Sequence, residues 1–324
     1  MVKTCLGFGC APMLGRVAKQ ESLKALEIAY SEKINYFDIA RTYGWGQAES
    51  LLGEFLVNHK IPRNKVEITT KFGLVPNNNQ WIRTSKAIAR KLINYVPRTH
   101  SLIKTAASKV AAPEAVFTLE NAKTSLKTSL NYLQTDYIDN ILFHEYNFQE
   151  SQNNIQPILE FLIEVQQSGM IKNYGFSTSL PLNVAYDFLE SHNIKPNILQ
   201  IPCRFFSPFE IEILQKLKQK NIKIIFHSPF QLQPNISSIF KKIEDKGALP
   251  YLESMIDIQI RNPEDLYKLI LSYFCVFYSP YSIITSMFNV KHITENNKIV
   301  NHPLINPEKA DNLHSFFLKT LNIF

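Results

Sequence analysis

The chain has 324 residues, 45% of them hydrophobic and 12% aromatic, with a formal net charge of +7. That length and apolar content supply one large buried core and exclude a disordered or fibrous chain, and no apolar run approaches the roughly 20 residues a membrane span requires. The opening Met1-Val2-Lys3-Thr4-Cys5 carries no basic stretch ahead of an apolar one, so no secretory leader is expected; Cys5, Cys10, Cys203 and Cys275 form no CxxC pair and are expected as core thiols in a reducing cytoplasm, not as disulfides or metal ligands.

Strand-like apolar runs alternate with segments of helical period along most of the chain. Strand Thr4–Gly9 is followed by helix Glu21–Ser31, with Ala25, Leu26, Ile28 and Ala29 on one face. Strand Ile34–Asp38 precedes a helix over 47–58, and strand Val66–Thr70 precedes, after a long interval, helix Leu119–Leu133. Strand Tyr137–Phe143 then leads to helix Ile155–Gln167, and strand Lys172–Phe176 to helix Pro181–Ser191. Strand Ile198–Ile201 leads to helix Pro208–Lys220, and strand Ile222–Phe226 to helix Pro263–Val276. Strand Ser282–Thr285 is followed by helical segments over 290–297 and 307–321. Eight β/α units predict a parallel sheet closed into a (β/α)₈ TIM barrel in a single α/β domain over 1–324, with an inserted segment at about 74–116. An open dinucleotide-binding sheet would carry a third glycine after Gly7-Phe8-Gly9, which this chain lacks.

In such a barrel the site lies at the C-terminal ends of the strands. Asp38 ends the second strand and Tyr43 follows it closely; Lys71 ends the third and His144 the fourth. Taken alone, each has an ordinary structural role: a turn cap, a packing ring, an exposed lysine, a rim histidine. Brought together at neighbouring strand ends they form a specific chemistry. A tyrosine hydroxyl, with a pKa of about 10, is a poor acid near neutrality, and a nearby ammonium is expected to lower it. Aspartate would keep the lysine charged and positioned, and histidine would hold a substrate oxygen in line. Tyr43 is the expected general acid or base.

These residues are also where the chain resembles a known family. The stretch 36–56, Tyr36-Phe37-Asp38-Ile39-Ala40-Arg41-Thr42-Tyr43-Gly44-Trp45-Gly46 through Leu56, is similar to the first signature of the aldo-keto reductases. Thr69-Thr70-Lys71-Phe72-Gly73 and Asp136 through His144 are similar to the next two, and Gly175-Phe176-Ser177, Gln200 and Ser282-Ile283-Ile284 extend the likeness over about 4–300. The resemblance implies the (β/α)₈ fold, a monomer, and hydride transfer between a nicotinamide dinucleotide and a carbonyl or alcohol, an aldehyde, ketone or sugar-like compound. NADP(H) is expected, with NAD(H) as the alternative. It implies Asp38, Tyr43, Lys71 and His144 as the catalytic tetrad, Ser177 and Gln200 as holders of the nicotinamide carboxamide, and Glu295 and Asn296 as acceptors at the adenine end. Gly9, Ser228 and Ser286 join the expected cofactor-binding set. The chain departs from the family pattern at three of these positions: Thr178 stands where the family carries asparagine, His227 where a tyrosine stacks on the nicotinamide, and His292, next to Lys291, where an arginine holds a 2′-phosphate. Lysine lacks the bidentate fork of arginine. These changes motivate a second reading, a catalytically weak cofactor-binding sensor or interaction subunit on the same scaffold.

The positive charge is concentrated in one place. Between Lys71 and Glu114 there is no acidic residue and there are seven basic ones, Arg83, Lys86, Arg90, Lys91, Arg98, Lys104 and Lys109; the remainder of the chain is near balance. Apolar residues recur at helical spacing in the same segment. Three readings stand: a solvated lid, attraction of an anionic substrate, and peripheral contact of 81–109 with an anionic membrane surface. No nucleic-acid-binding motif accompanies the charge, so nucleic acid is not expected as a partner. The substrate pocket is expected to draw on Trp45, Tyr146, this segment and the stretch 228–261.

Overall fold

The structure, a computed structural model, describes residues 4–75, 114–149, 155–229, 232 and 235–321. Eight parallel strands close into a barrel: β1 (Cys5–Gly9), β2 (Tyr36–Asp38), β3 (Glu67–Phe72), β6 (Ile138–Phe143), β7 (Ile171–Ser177), β8 (Ile198–Pro202), β9 (Lys223–His227) and β10 (Ser282–Thr285). Each pairs with its predecessor in chain order, and β10 closes on β1 through Cys5 opposite Ser282 and Phe8 opposite Thr285. The two short strands between β3 and β6, β4 (Leu74–Val75) and β5 (Glu114–Ala115), make a separate antiparallel pair that brackets residues 76–113. The basic segment 81–109 thus lies outside the described residues.

The helices that follow the strands are α1 (Lys19–Ser31), α2 (Ala48–Asn58), α3 (Leu119–Leu133), α4 (Gln156–Gln167), α5 (Leu182–Ser191) and α6 (Pro208–Gln219). Next come α7 (Ile236–Asp245), α8 (Leu249–Ile256), α9 (Pro263–Tyr273), α10 (Val290–Asn301) and α11 (Pro307–Leu321). Several start on local chemistry visible in the chain. Ser207 accepts from the Glu210 amide at 3.2 Å while Glu210 reaches back to the Ser207 amide at 3.1 Å, with Pro208 in the first turn of α6. Thr118, Asn262 and Asn289 cap α3, α9 and α10 in the same sense.

Two helices lie in the stretch 228–261, for which the sequence reading offered no pattern. In α7, Ile239 and Ile243 are buried at a four-residue spacing, and Asn235 caps the helix through the Ser238 amide at 2.9 Å. That period is short and flanked by lysines, which hides it among surface-like residues. The helix expected over 263–276 ends earlier, at Tyr273, and passes into a wider π-turn over Phe274–Tyr278 whose rings pack against Phe205, Phe206 and Phe226.

Side chains fill the barrel interior, and most of the core lies between the sheet and its ring of helices. Tyr36, Leu142, Ile198, Ile225 and Ile284 cluster inside. Gly7 leaves room for two of them: a Cβ there would stand 2.2 Å from Ile284 Cδ1 and 2.8 Å from Tyr36 Cδ1. At the N-terminal end Asp139 accepts from Arg63 and Lys172, each at 2.7 Å, and from the Ile68 amide at 3.0 Å, tying β3, β6 and β7 together away from the catalytic end. Among the described residues no helix is long and apolar enough to cross a membrane.

Gly73 joins β3 to the β4–β5 pair with φ of 96°, a region that favours glycine, and a Cβ there would lie 2.0 Å from the Phe117 ring. We expect Gly73→Ala to lower stability by roughly 2–4 kcal/mol, from backbone strain and overpacking together. A drop in the midpoint of denaturant unfolding would show it; an unchanged midpoint would mean that the hairpin is not seated on Phe117.

Candidate active site

The strand register sets the site. Gly9 pairs with Asp38, Phe72 with Phe143, Ser177 with Gln200 and Pro202 with His227, so the C-terminal ends of successive strands reach one rim at similar height. A cavity of about 660 Å³ opens there, lined by Asp38, Tyr43, Lys71 and His144 together with Gly9, Ser177, Gln200, His227, Ser228, Ser286 and His292. The four expected catalytic residues and seven of the expected cofactor residues therefore face one space.

Lys71 is buried, and its Nζ donates to both carboxylate oxygens of Asp38 at 2.8 Å and to the Ile39 carbonyl at 3.0 Å. Burial alone would lower the pKa of the ammonium; Asp38 and the neighbouring Tyr43 more than offset that and hold it above its ordinary value. The ammonium sits 5.3 Å from the centre of the Tyr43 ring, and His144 meets that ring edge-on at 5.8 Å between centres. Gln200 crosses the barrel to donate from Nε2 to Asp38 Oδ1 at 2.7 Å, which leaves its amide oxygen for a ligand.

The tyrosine differs from the sequence expectation. Burial pushes the Tyr43 hydroxyl up to about 12, and the pull of Lys71 in the opposite direction does not reverse that. Tyr43 is thus a firmly protonated acid at neutral pH, not a partly ionised one. His144 is held well below the ordinary histidine range, first by burial and then by the charge of Lys71, and is a neutral imidazole. Its Nδ1 is buried with no hydrogen-bond partner among the described residues, as is Nε2 of His227. The pKa of His227 is lowered by burial as well, and its Nδ1 shares a 2.9 Å hydrogen bond with the Ser228 hydroxyl.

A smaller cavity of about 190 Å³ shares His292 with the first and is lined by Glu264, Tyr267, Lys268, Glu295 and Asn296. Asn296 is buried and its Nδ2 has no hydrogen-bond partner among the described residues. Glu295 and Asn296 are therefore placed together, beyond His292 from the tetrad. Lys291 lines neither cavity; its Nζ turns to Glu264 at 3.0 Å and Glu295 at 3.8 Å.

Three expected site residues lie elsewhere. Thr178 is buried beside the cavity and its hydroxyl accepts from the Leu180 amide at 3.2 Å, closing a turn and not facing the pocket. Tyr146 is buried behind the rim among Phe117, Phe143, Phe148, Phe176 and Phe188, a packing role set by its position one residue past a charged rim residue. Trp45, in a left-handed conformation at φ of 60°, lines a neighbouring cavity of about 410 Å³ with Arg41, Gln47, Leu74 and Tyr132. Conversely, the main cavity is lined by Arg16, Glu145, Phe288 and Asn289, none of which the sequence reading singled out. For Glu145 the available signal was its place directly after His144.

The chain is 24% identical over 320 residues to the uncharacterized oxidoreductase YqkF of Bacillus subtilis, covering 96% of this chain and 91% of that one. It is 22% identical over 305 residues to L-galactose dehydrogenase of Arabidopsis thaliana, covering 90% and 83%. The holo form of aldo-keto reductase AKR11C1 from Bacillus halodurans superposes with a TM-score of 0.68 at 19% identity, over 96% of this chain and 91% of that one, and so shares the fold. The model of the aldo/keto reductase family matches residues 5–316. With the barrel closed in the order described and the match running nearly end to end, the chain belongs to the aldo/keto reductase family.

Proposed function

We propose that the protein is a nicotinamide-dinucleotide-dependent oxidoreductase that reduces a carbonyl, or oxidises the corresponding alcohol, with Tyr43 as general acid and base. The convergence of a buried Lys71–Asp38 pair, a protonated Tyr43 and a neutral His144 on one cavity carries this reading.

The residues present suit such a cofactor. The lining of the cavity includes, besides the tetrad, Gly9, Ser286 and Asn289 at the N-terminus of α10, where the helix dipole favours a phosphate group. The smaller cavity beyond His292 offers the unpartnered amide of Asn296 to a polar heterocycle or ribose. Ser177 and the free amide oxygen of Gln200 would hold a carboxamide, and His227 presents a flat neutral ring beside them. When bound, the dinucleotide supplies or accepts hydride at the carbonyl carbon.

The chain's own residues manage the oxygen. His144, being neutral, offers one N–H to the carbonyl oxygen without placing a second positive charge beside Lys71. Tyr43 delivers its proton to the same oxygen as negative charge develops there. The Lys71 ammonium, fixed by Asp38, stabilises the phenolate that remains. In the oxidative direction the same phenolate takes the proton back.

We expect Tyr43→Phe to lower turnover by about 100-fold or more while leaving dinucleotide affinity nearly unchanged, measured by quenching of tryptophan fluorescence on titration with NADPH and NADH. Normal turnover in that variant would sink the mechanism. Failure of folded wild-type protein to bind either dinucleotide would sink the function and favour a non-catalytic relative.

The pH profile offers a separate check. The Tyr43 hydroxyl is raised to about 12, so its proton is retained through neutrality and lost only in strong alkali. His144 is lowered, so it gains a charge only in acid. For carbonyl reduction, kcat/KM should therefore stay flat from neutrality to about pH 9. A fall centred near neutral pH would show that a different group supplies the proton.

A further inference from the structure

A carboxylate that the tetrad does not use stands at the catalytic end of the main cavity. Glu145 follows His144 at the rim, is exposed, and lines the cavity with Tyr43, His144 and His227. Its φ of 51° puts a residue bearing a Cβ in the left-handed region, an unfavourable conformation that tends to persist where function requires it. Its Oε2 accepts from the Ser179 hydroxyl at 2.6 Å. One oxygen is thereby anchored to the loop after β7, and the carboxylate keeps further lone pairs for the cavity.

Among the described residues, no cation pairs with it. Asp38 and Lys71 cancel one another, and the pKa values of His144 and His227 are both lowered by burial, so these rings are neutral at neutral pH. The other charged residue lining the cavity, Arg16, sits on the connection between β1 and α1. The carboxylate of Glu145 therefore faces the cavity beside the reacting centre, where it favours hydrogen-bond donors and repels anions.

We infer that Glu145 is a specificity-determining residue: it selects carbonyl or alcohol substrates that present hydroxyl or ammonium donors along the chain beyond the reacting carbon, and it rejects substrates bearing a carboxylate or phosphate there. This rests on the oxidoreductase reading of the same cavity. It sets the described side of the pocket against the anionic substrate that the basic segment 83–109 suggested.

The test is equilibrium binding of three ligands with one six-carbon skeleton: neutral D-glucitol, anionic D-gluconate and cationic D-glucamine, followed by ligand-observed NMR with NADP⁺ or NAD⁺ present. Glucitol and glucamine should each bind the wild type at least about tenfold more tightly than gluconate, and the order of those two tells whether hydroxyl or ammonium is the preferred donor. Glu145→Gln, close in shape and able to keep the Ser179 contact, should bring gluconate to within about threefold of glucitol; Glu145→Asp, which keeps the charge, should keep the wild-type order. Preference of the wild type for gluconate, an unchanged order in E145Q, or binding of none of the three would each overturn the inference. Reduction of 4-nitrobenzaldehyde, which carries neither hydroxyl donor nor negative charge, tests hydride transfer separately. Its failure alongside the expected binding order would remove the reaction and leave the discrimination standing.

Discussion

The ammonium of Lys71 is buried in a protein interior, where an isolated charge is costly, and the two oxygens of Asp38 compensate it at 2.8 Å each. Breaking a pair of this kind by removing one partner typically costs about 3–5 kcal/mol, because the other charge is left stranded. Much of the rim is arranged around keeping this pair intact. The Ile39 carbonyl takes a third bond from the ammonium, and Gln200 donates to the carboxylate from across the barrel. The two nearest titratable rings stay neutral chiefly through burial, which the charge of Lys71 reinforces at His144 and opposes without reversing at Tyr43.

Rigidity around the pair is distributed by layer. Below it, Asp139 with Arg63 and Lys172 locks three strands at the N-terminal end. Beside it, the buried carboxylate of Glu49 collects Arg41 at 2.5 Å, Thr70 at 2.6 Å and Ser129 at 2.7 Å, joining α2, β3 and α3 just behind Tyr43. Above it, three residues adopt left-handed backbone immediately after, or one residue beyond, a cavity side chain: Trp45 after Tyr43 and Gly44, Glu145 after His144, and Ser228 after His227. At Glu145 and Ser228 the turn follows closely on the ends of β6 and β9, while Trp45 lies within the helical turn Tyr43–Gly46 that carries Tyr43 to the rim.

The barrel was readable because each β/α unit alternates period within a few residues, and because burial on both faces makes the strands apolar runs. The convergence of Asp38, Lys71 and His144 on one cavity was readable because closed-barrel topology converts three strand ends far apart in sequence into neighbours. What could not be read depends on direction, not on position. Thr178 and Tyr146 sit next to cavity residues in sequence, yet one turns its hydroxyl to the Leu180 amide and the other buries its ring among phenylalanines. Lys291 was a candidate by the family resemblance, and in the structure its charge turns to Glu264 and Glu295. Glu145 and Arg16 went unnoticed for the converse reason: a lone charge in a loop has no periodicity to reveal it. The sign of the net shift at Tyr43 was also out of reach, since it weighs burial against a neighbouring charge, and burial is the larger here.

The antiparallel pairing of Leu74 with Ala115 and Val75 with Glu114 has a consequence in polymer terms. It brings the two ends of a 38-residue excursion, 76–113, together at the barrel's edge. The free energy of closing such a loop grows only with the logarithm of its length, about 0.6 kcal/mol per doubling. Among the described residues, the barrel meets the two ends of that excursion at one strand pair, β4 with β5. A junction of this form lets the length of what it brackets change at little cost to the closed sheet, which makes it a graft point on the barrel.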